Sequence, residues 1–167
     1  MTFKPNSLQI DDRNQLWVLC AGYQDAINPF NSVPGELMTF DISRDSLDYY
    51  PDSILAIDTL SLVLTDNQLR PHDLVINKSG DKLFYIDNKN GDDGNILTHD
   101  VTALKLNEAP YIQGSFYSLG YDLVQNEIYG GVPGNYILNG EVHRYRENGN
   151  QVDIFTVGII PSCFGFK

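Results

Sequence analysis

The 167-residue sequence predicts an all-β fold built from β-propeller blades, and two internal repeats carry this prediction. A seven-residue phrase returns in steps of 66, 45 and 45 residues, at 5–11, 71–77, 116–122 and 161–167. A second phrase follows the first three copies, beginning at Gly35, Gly94 and Gly140. Repeats of about 40–50 residues made of short strands are typical of propeller blades.

The seven-residue phrase is predicted to be the first, channel-lining strand of each blade. Large apolar residues alternate in it with smaller or polar ones, as the pairs Leu8/Ile10, Leu74/Ile76, Leu119/Tyr121 and Phe164/Phe166. A period of two indicates a strand with one apolar face. Asp, Asn and Gly follow the first three copies and predict turns there.

Three more strands are predicted in each unit. Residues rich in β-branched and aromatic types predict the second strand at 16–19, 83–86 and 128–129. The second phrase predicts the third strand at 35–40, 94–99 and 140–145, and the fourth is expected at 60–65, 110–112 and 152–157. In the longer first unit, residues 53–58 also resemble a third strand, so two interpretations stay open there, and residues 25–34 are predicted to form a loop.

We therefore expect about three four-stranded antiparallel blades, at residues 3–68, 69–114 and 115–159, and one extra inner strand at 160–167. Three units are too few for a closed propeller, which needs about four to eight blades. A lone strand would also leave a row of backbone groups unpaired. The sequence thus predicts part of a seven- or eight-bladed ring, completed by other residues of a longer chain or by a second copy in a homodimer.

Composition and charge exclude several classes of protein. The net charge of −11 argues against nucleic acid and anionic membrane surfaces as partners. Two cysteines, Cys20 and Cys163, make neither a disulfide framework nor a zinc motif, and we expect either a single pair or two buried free thiols. There is no apolar run long enough for a transmembrane helix and no signal peptide, so we expect either an intracellular protein or a piece of an exported precursor.

Several segments resemble the surface-layer-type, YVTN-like β-propeller proteins of Gram-negative bacteria. The resemblance runs through residues 15–19, 70–77 and 81–87, and it is most specific at 139–145 and 157–166. Members of that family are usually seven-bladed, exported or lipid-anchored, and not known as enzymes. The resemblance implies a non-enzymatic binding or scaffold module at the cell surface or in the periplasm, or a purely structural surface-layer component. The chain departs from the family in lacking the export signal and the first blades.

Polar residues near the start of the seven-residue phrase form the candidate site. Equivalent positions of inner strands make a ring at one mouth of a propeller channel, where ligands bind. The predicted ligand-binding residues are Asn6, His72, Asp73, Tyr117, Ser118 and Ser162. Their ligand would be a small molecule, a glycan or a protein, and exposed aromatic residues such as Tyr136 could add a platform for sugars or peptides. Alternatively, these polar residues only satisfy backbone groups where each strand begins.

Catalysis and metal binding have weaker support in the sequence. A carboxylate can orient an imidazole, so His72 beside Asp73 is the best acid–base or metal candidate, although neighbouring strand residues point to opposite faces. With Asn6, this pair resembles gluconolactonase-type propellers and makes a metal-dependent lactonase-like hydrolase the alternative, but no inner-strand Glu is evident. The acidic loop 87–95 could attract calcium, but it lacks the spacing of a calcium-binding loop. We therefore predict no cofactor, with calcium as the alternative.

Overall fold

The structure, a computed structural model, describes residues 4–23, 25, 27–42, 60–64, 70–88 and 93–167. These residues form twelve β-strands and a short 3₁₀ turn at Pro29–Asn31 within the predicted loop. Among them, no helix has the length and hydrophobicity needed to cross a membrane. The chain is therefore all-β in its described part, as the sequence predicts.

The strands form three four-stranded antiparallel sheets, each taken from consecutive strands of the chain. Sheet 1 contains β1 (Pro5–Ile10), β2 (Gln15–Cys20), β3 (Glu36–Asp41) and β4 (Leu60–Val63). Sheet 2 contains β5 (His72–Ile76), β6 (Lys82–Ile86), β7 (Gly94–Asp100) and β8 (Ile112–Phe116). Sheet 3 contains β9 (Ser118–Asp122), β10 (Glu127–Val132), β11 (Glu141–Arg146) and β12 (Gln151–Thr156).

The predicted strands are confirmed within the described residues, with small shifts at their ends. The fourth strand of the second unit is displaced most, because β8 begins where the predicted strand ends and continues to Phe116. The competing third strand at 53–58 lies outside the described residues. Both cysteines are free, with Cys20 buried and Cys163 exposed.

Two hydrophobic cores hold the three sheets face to face. The first lies between sheets 1 and 2 and is formed by Trp17, Leu19, Leu37, Leu62, Leu74, Leu83, Tyr85, Leu97 and Val101. The second lies between sheets 2 and 3 and is formed by Phe84, Ile86, Ile96, Ile112, Phe116, Leu119, Tyr121, Ile128 and Tyr145. Successive residues of β6 serve different cores, as strand alternation requires.

Hydrogen bonds connect the first strands of neighbouring sheets. The Leu74 amide in β5 donates to Ser7 Oγ in β1 over 3.0 Å. One sheet further on, the Leu119 amide in β9 donates to Asp73 Oδ2 over 3.0 Å. Ser7 and Asp73 occupy the same position of the seven-residue phrase, and so do Leu74 and Leu119. The sequence repeat is therefore accompanied by a repeated hydrogen bond between neighbouring first strands.

The fourth copy of the phrase differs from the prediction. Residues 161–167 are not a strand, and they belong to none of the three sheets that the described residues form. They lie instead along β9, where Ser118 Oγ donates to the Pro161 carbonyl oxygen over 2.5 Å. The predicted closing strand is thus an extended tail, and the described residues do not close a ring.

Candidate functional site

A pocket of about 410 Å³ lies where three copies of the seven-residue phrase begin. It is lined by His72, Asp73, Asn88, Tyr117 and Ser162. Its volume lies within the range of about 300–1,000 Å³ typical of small-molecule sites. All five lining side chains carry a polar group, so the pocket is suited to a ligand that makes several hydrogen bonds.

A β-bulge in β5 explains how two adjacent residues reach the same pocket. The pairing of β5 with β6 shifts register between His72 and Val75, and Asp73 has a φ of 55°. Bulges redirect side chains and are frequent beside functional sites. Asp and Asn tolerate this left-handed conformation better than most residues. The bulge overrides the alternation that would place His72 and Asp73 on opposite faces.

The two side chains are close enough to influence each other. His72 Nδ1 lies 3.5 Å from Asp73 Oδ1, and each side chain is partly exposed. The second carboxylate oxygen of Asp73 accepts the hydrogen bond from the Leu119 amide. Asp73 therefore links β5 to β9 and lies beside the His72 ring at the wall of the pocket.

Asn88 is the lining residue that the sequence did not single out. Because His72 pairs with Ile86, residues just after β6 lie at the same edge as the start of β5. Asn88 has a φ of 53°, and its buried Oδ1 has no hydrogen-bond partner within the described residues. An unsatisfied buried acceptor costs about 1–3 kcal/mol. The only sequence signal for it was its place in the acidic loop 87–95.

Tyr117 and Ser162 complete the pocket from two further segments. Tyr117 is the single residue between β8 and β9, and its amide donates to the Gly131 carbonyl oxygen over 2.8 Å. The Tyr117 ring meets the ring of Tyr136 edge to face, with 6.0 Å between centroids. Tyr136 belongs to the loop between β10 and β11 and remains 42% exposed. Ser162 comes from the tail and is exposed.

Two of the six predicted residues lie outside the pocket lining. Asn6 Nδ2 donates to the Pro71 carbonyl oxygen over 2.7 Å, so its amide ties β1 to the residue before β5. Ser118 is buried and binds the tail through Pro161. Both side chains thus donate hydrogen bonds to backbone carbonyl oxygens, as the alternative interpretation of the polar residues predicts. The other four, His72, Asp73, Tyr117 and Ser162, line the same pocket.

The remaining polar candidates make structural contacts. Asp87 accepts from the amide and side chain of Asn95 over 2.9 and 3.0 Å, which holds the ends of the loop 87–95 together. His143 lies 2.8 Å from Glu141 and 3.2 Å from the Tyr145 hydroxyl. Among the described residues, no group of three or more His, Cys, Asp or Glu is placed to hold a metal ion.

Comparison of the chain with protein-family models finds no match, and comparison with curated proteins finds none either. The resemblance to surface-layer proteins therefore remains a prediction based on the segments quoted above.

Proposed function

We propose that the three sheets are consecutive blades of a β-propeller and that the chain is a non-enzymatic binding or scaffold module. Sheets of four consecutive antiparallel strands, stacked face to face with their first strands adjacent, support the blade assignment. The ring would be completed by other strands, from a longer chain or from a second copy of this one.

The pocket is the observation that carries the binding function. His72, Tyr117 and Ser162 stand at the second position of three successive copies of the phrase, and all three line one cavity. In a propeller, these positions lie at one mouth of the central channel. A cavity built from equivalent residues of neighbouring blades is a site for a small ligand bound on the ring axis.

A metal-dependent, lactonase-like hydrolase is the second candidate function. The 3.5 Å approach of His72 to Asp73 favours it, because a carboxylate that orients an imidazole assists both metal binding and proton transfer. The position of Asn6 weakens it, since this side chain binds the Pro71 carbonyl instead of facing the pocket. Calorimetry with calcium and zinc separates the candidates: the hydrolase requires metal binding that is lost in Asp73→Ala.

The cellular setting is proposed from the family resemblance. Surface-layer-type propellers are exported, so we place this module at the cell surface or in the periplasm as part of a longer precursor. A purely structural surface-layer component is the alternative within the same family, and it predicts no ligand in the pocket.

The binding function is tested by NMR with the ¹⁵N-labelled chain and a mixture of small polar metabolites. Binding at the pocket would shift the amide signals of Asp73, Tyr117 and Leu119 selectively. The same shifts should persist in Ser115→Ala, which changes an exposed serine outside the pocket lining. Absence of any shift, or shifts confined to another surface, would contradict the proposal.

A further inference from the structure

We infer that the ligand of this pocket is a neutral sugar, bound through its hydroxyl groups and one apolar ring face. This inference rests on the proposed binding function and names the ligand class. It follows from the hydrogen-bonding groups of the pocket, from the aromatic pair at Tyr117 and from the charges of the lining residues.

The hydrogen-bonding groups match adjacent hydroxyls. Each sugar hydroxyl donates one hydrogen bond and accepts others, so it needs mixed partners. The pocket offers carboxylate and amide oxygens from Asp73 and Asn88 as acceptors, and hydroxyls from Tyr117 and Ser162 that serve both roles. The Asn88 Oδ1, which has no partner in the described part of the chain, would gain a donor from such a ligand.

The aromatic pair supplies an apolar surface beside these polar groups. Tyr136 contacts Tyr117 edge to face and leaves 42% of its surface exposed. Its backbone is held in a left-handed conformation with a φ of 64°, and Asn135 Oδ1 accepts from the amides of Ile137 and Leu138. An amphipathic ring presented on a shaped loop suits a ligand with one apolar face and a polar edge. Sugar rings have this character.

The charges of the pocket disfavour anionic ligands. No lysine or arginine is among the five lining residues, and the chain carries a net charge of −11, so phosphate and carboxylate ligands would be repelled. The one lining carboxylate, Asp73, already accepts from the Leu119 amide and faces His72. Both of its carboxylate oxygens therefore already have neighbours within the chain, so fewer of its lone pairs are open to a cationic amine.

The test is a calorimetric panel with D-glucose, D-galactose, D-mannose and N-acetyl-D-glucosamine, alongside spermidine, inorganic phosphate and CaCl₂. We expect one or more of the sugars to bind. Tyr117→Phe should weaken that binding by about tenfold, and Asp73→Asn by about 10- to 100-fold, as loss of hydrogen bonds to neutral and charged groups implies. Asn keeps the left-handed backbone of Asp73 accessible, so this variant preserves the bulge.

Tyr129→Phe is the matched control for Tyr117→Phe, because Tyr129 lies in the neighbouring β10 and outside the pocket lining. It should bind sugar like the unchanged chain. Binding of spermidine or phosphate in place of sugars, with loss in the pocket variants, would overturn the sugar assignment and leave the binding function standing. Calcium binding that is lost in Asp73→Asn would overturn the sugar assignment and favour the hydrolase instead. If no compound binds, or if the affinity for sugar is the same in the pocket variants as in the unchanged chain, both proposals fail.

Discussion

At the scale of single residues, Asp11 shows how one carboxylate organises a turn. It accepts four hydrogen bonds, from the amides of Arg13 and Gln15, from Trp17 Nε1 and from the Arg13 guanidinium. Burial alone would raise the pKa of Asp11, but these bonds, led by that of Trp17, lower it. Arg13 in turn donates to the Val101 carbonyl oxygen over 2.7 Å, so the turn also joins sheet 1 to sheet 2.

Asp11→Ala should destabilise the fold by about 2–4 kcal/mol, because it leaves the buried Trp17 N–H and neighbouring amides without acceptors. Urea unfolding at pH 7 measures this change. Asp12→Ala, at the exposed neighbouring position, serves as the control and should cost well under 1 kcal/mol. Equal losses in both variants would contradict the role assigned to Asp11.

His99 is a buried histidine without a hydrogen-bond partner in the described residues. It is 1% exposed, and its ring meets Trp17 with 5.3 Å between centroids. Burial disfavours the charged ring and lowers the pKa of His99 to about 4, against an ordinary value of 6.5. The unfolded chain therefore binds this proton more readily, so stability is lost as the pH falls from about 6.5 towards 4.

His99→Phe should remove that part of the acid sensitivity while keeping an aromatic ring against Trp17. Between pH 7 and pH 4.5, the free energy of unfolding of the unchanged chain should fall by on the order of 2 kcal/mol more than that of the variant. Chemical denaturation at the two pH values measures this difference. His143→Phe, at a partly exposed position of β11, is the control and should retain the sensitivity. Identical pH dependence in His99→Phe would refute the assignment.

At the scale of elements, glycines in β9 and β10 allow the tail to lie close to sheet 3. A Cβ on Gly120 would lie 2.7 Å from the Cβ of Phe164, and Phe164 and Phe166 also pack near the Tyr129 ring. Ser118 fixes the start of the tail through Pro161. The tail therefore packs against β9 in the same way that β9 packs against β5.

Gly120→Ala should displace the tail, because the added methyl group meets Phe164 and has no room to move within β9. Limited digestion with chymotrypsin should then cut near Phe164 and Phe166 several times faster, as mass spectrometry can follow. Gly165→Ala is the control, since a Cβ at Gly165 meets nothing within 4 Å. Unchanged protection of the tail in Gly120→Ala would mean that this contact does not hold it.

At the scale of the whole molecule, the two ends of the stack differ. The outer side of β9 is covered by the tail, whereas Leu8 and Ile10 of β1 are 61% and 51% exposed. Leu8 pairs with Val18 of β2, and Ile10 pairs with Leu16. Together these four residues form an apolar outer face on sheet 1. Exposed apolar faces of this kind mark interaction surfaces. A second copy that completes the ring would cover it.

If a second copy completes the ring, the chain forms a homodimer with about twice its mass of 18.8 kDa. Light scattering across a concentration series measures the mass directly. The double variant Leu8→Ser, Ile10→Ser should dissociate the dimer, whereas Val152→Ser on the outermost strand of sheet 3 should not. A monomer at all concentrations would rule out completion of the ring by a second copy.

The three repeated units could be recognised in the sequence because each one follows the same local rules. Alternating apolar residues, Asp- and Asn-rich turns and recurring glycines act over a few residues, so strand order and sheet membership could be predicted from them. Ser7, Asp73 and Ser118 also recur at one phrase position, and each makes a contact with the next copy of the phrase.

What the sequence determined by itself is the architecture: three units of four strands, and a fourth phrase that follows them. Only the tertiary structure decided which polar residues share a pocket. A bulge with a left-handed Asp73 brought His72 and Asp73 together, and strand pairing brought Asn88 to the same edge. The tail became an extended segment without strand pairing. These outcomes depend on contacts between residues far apart in the chain, and local periodicity carries no information about such contacts.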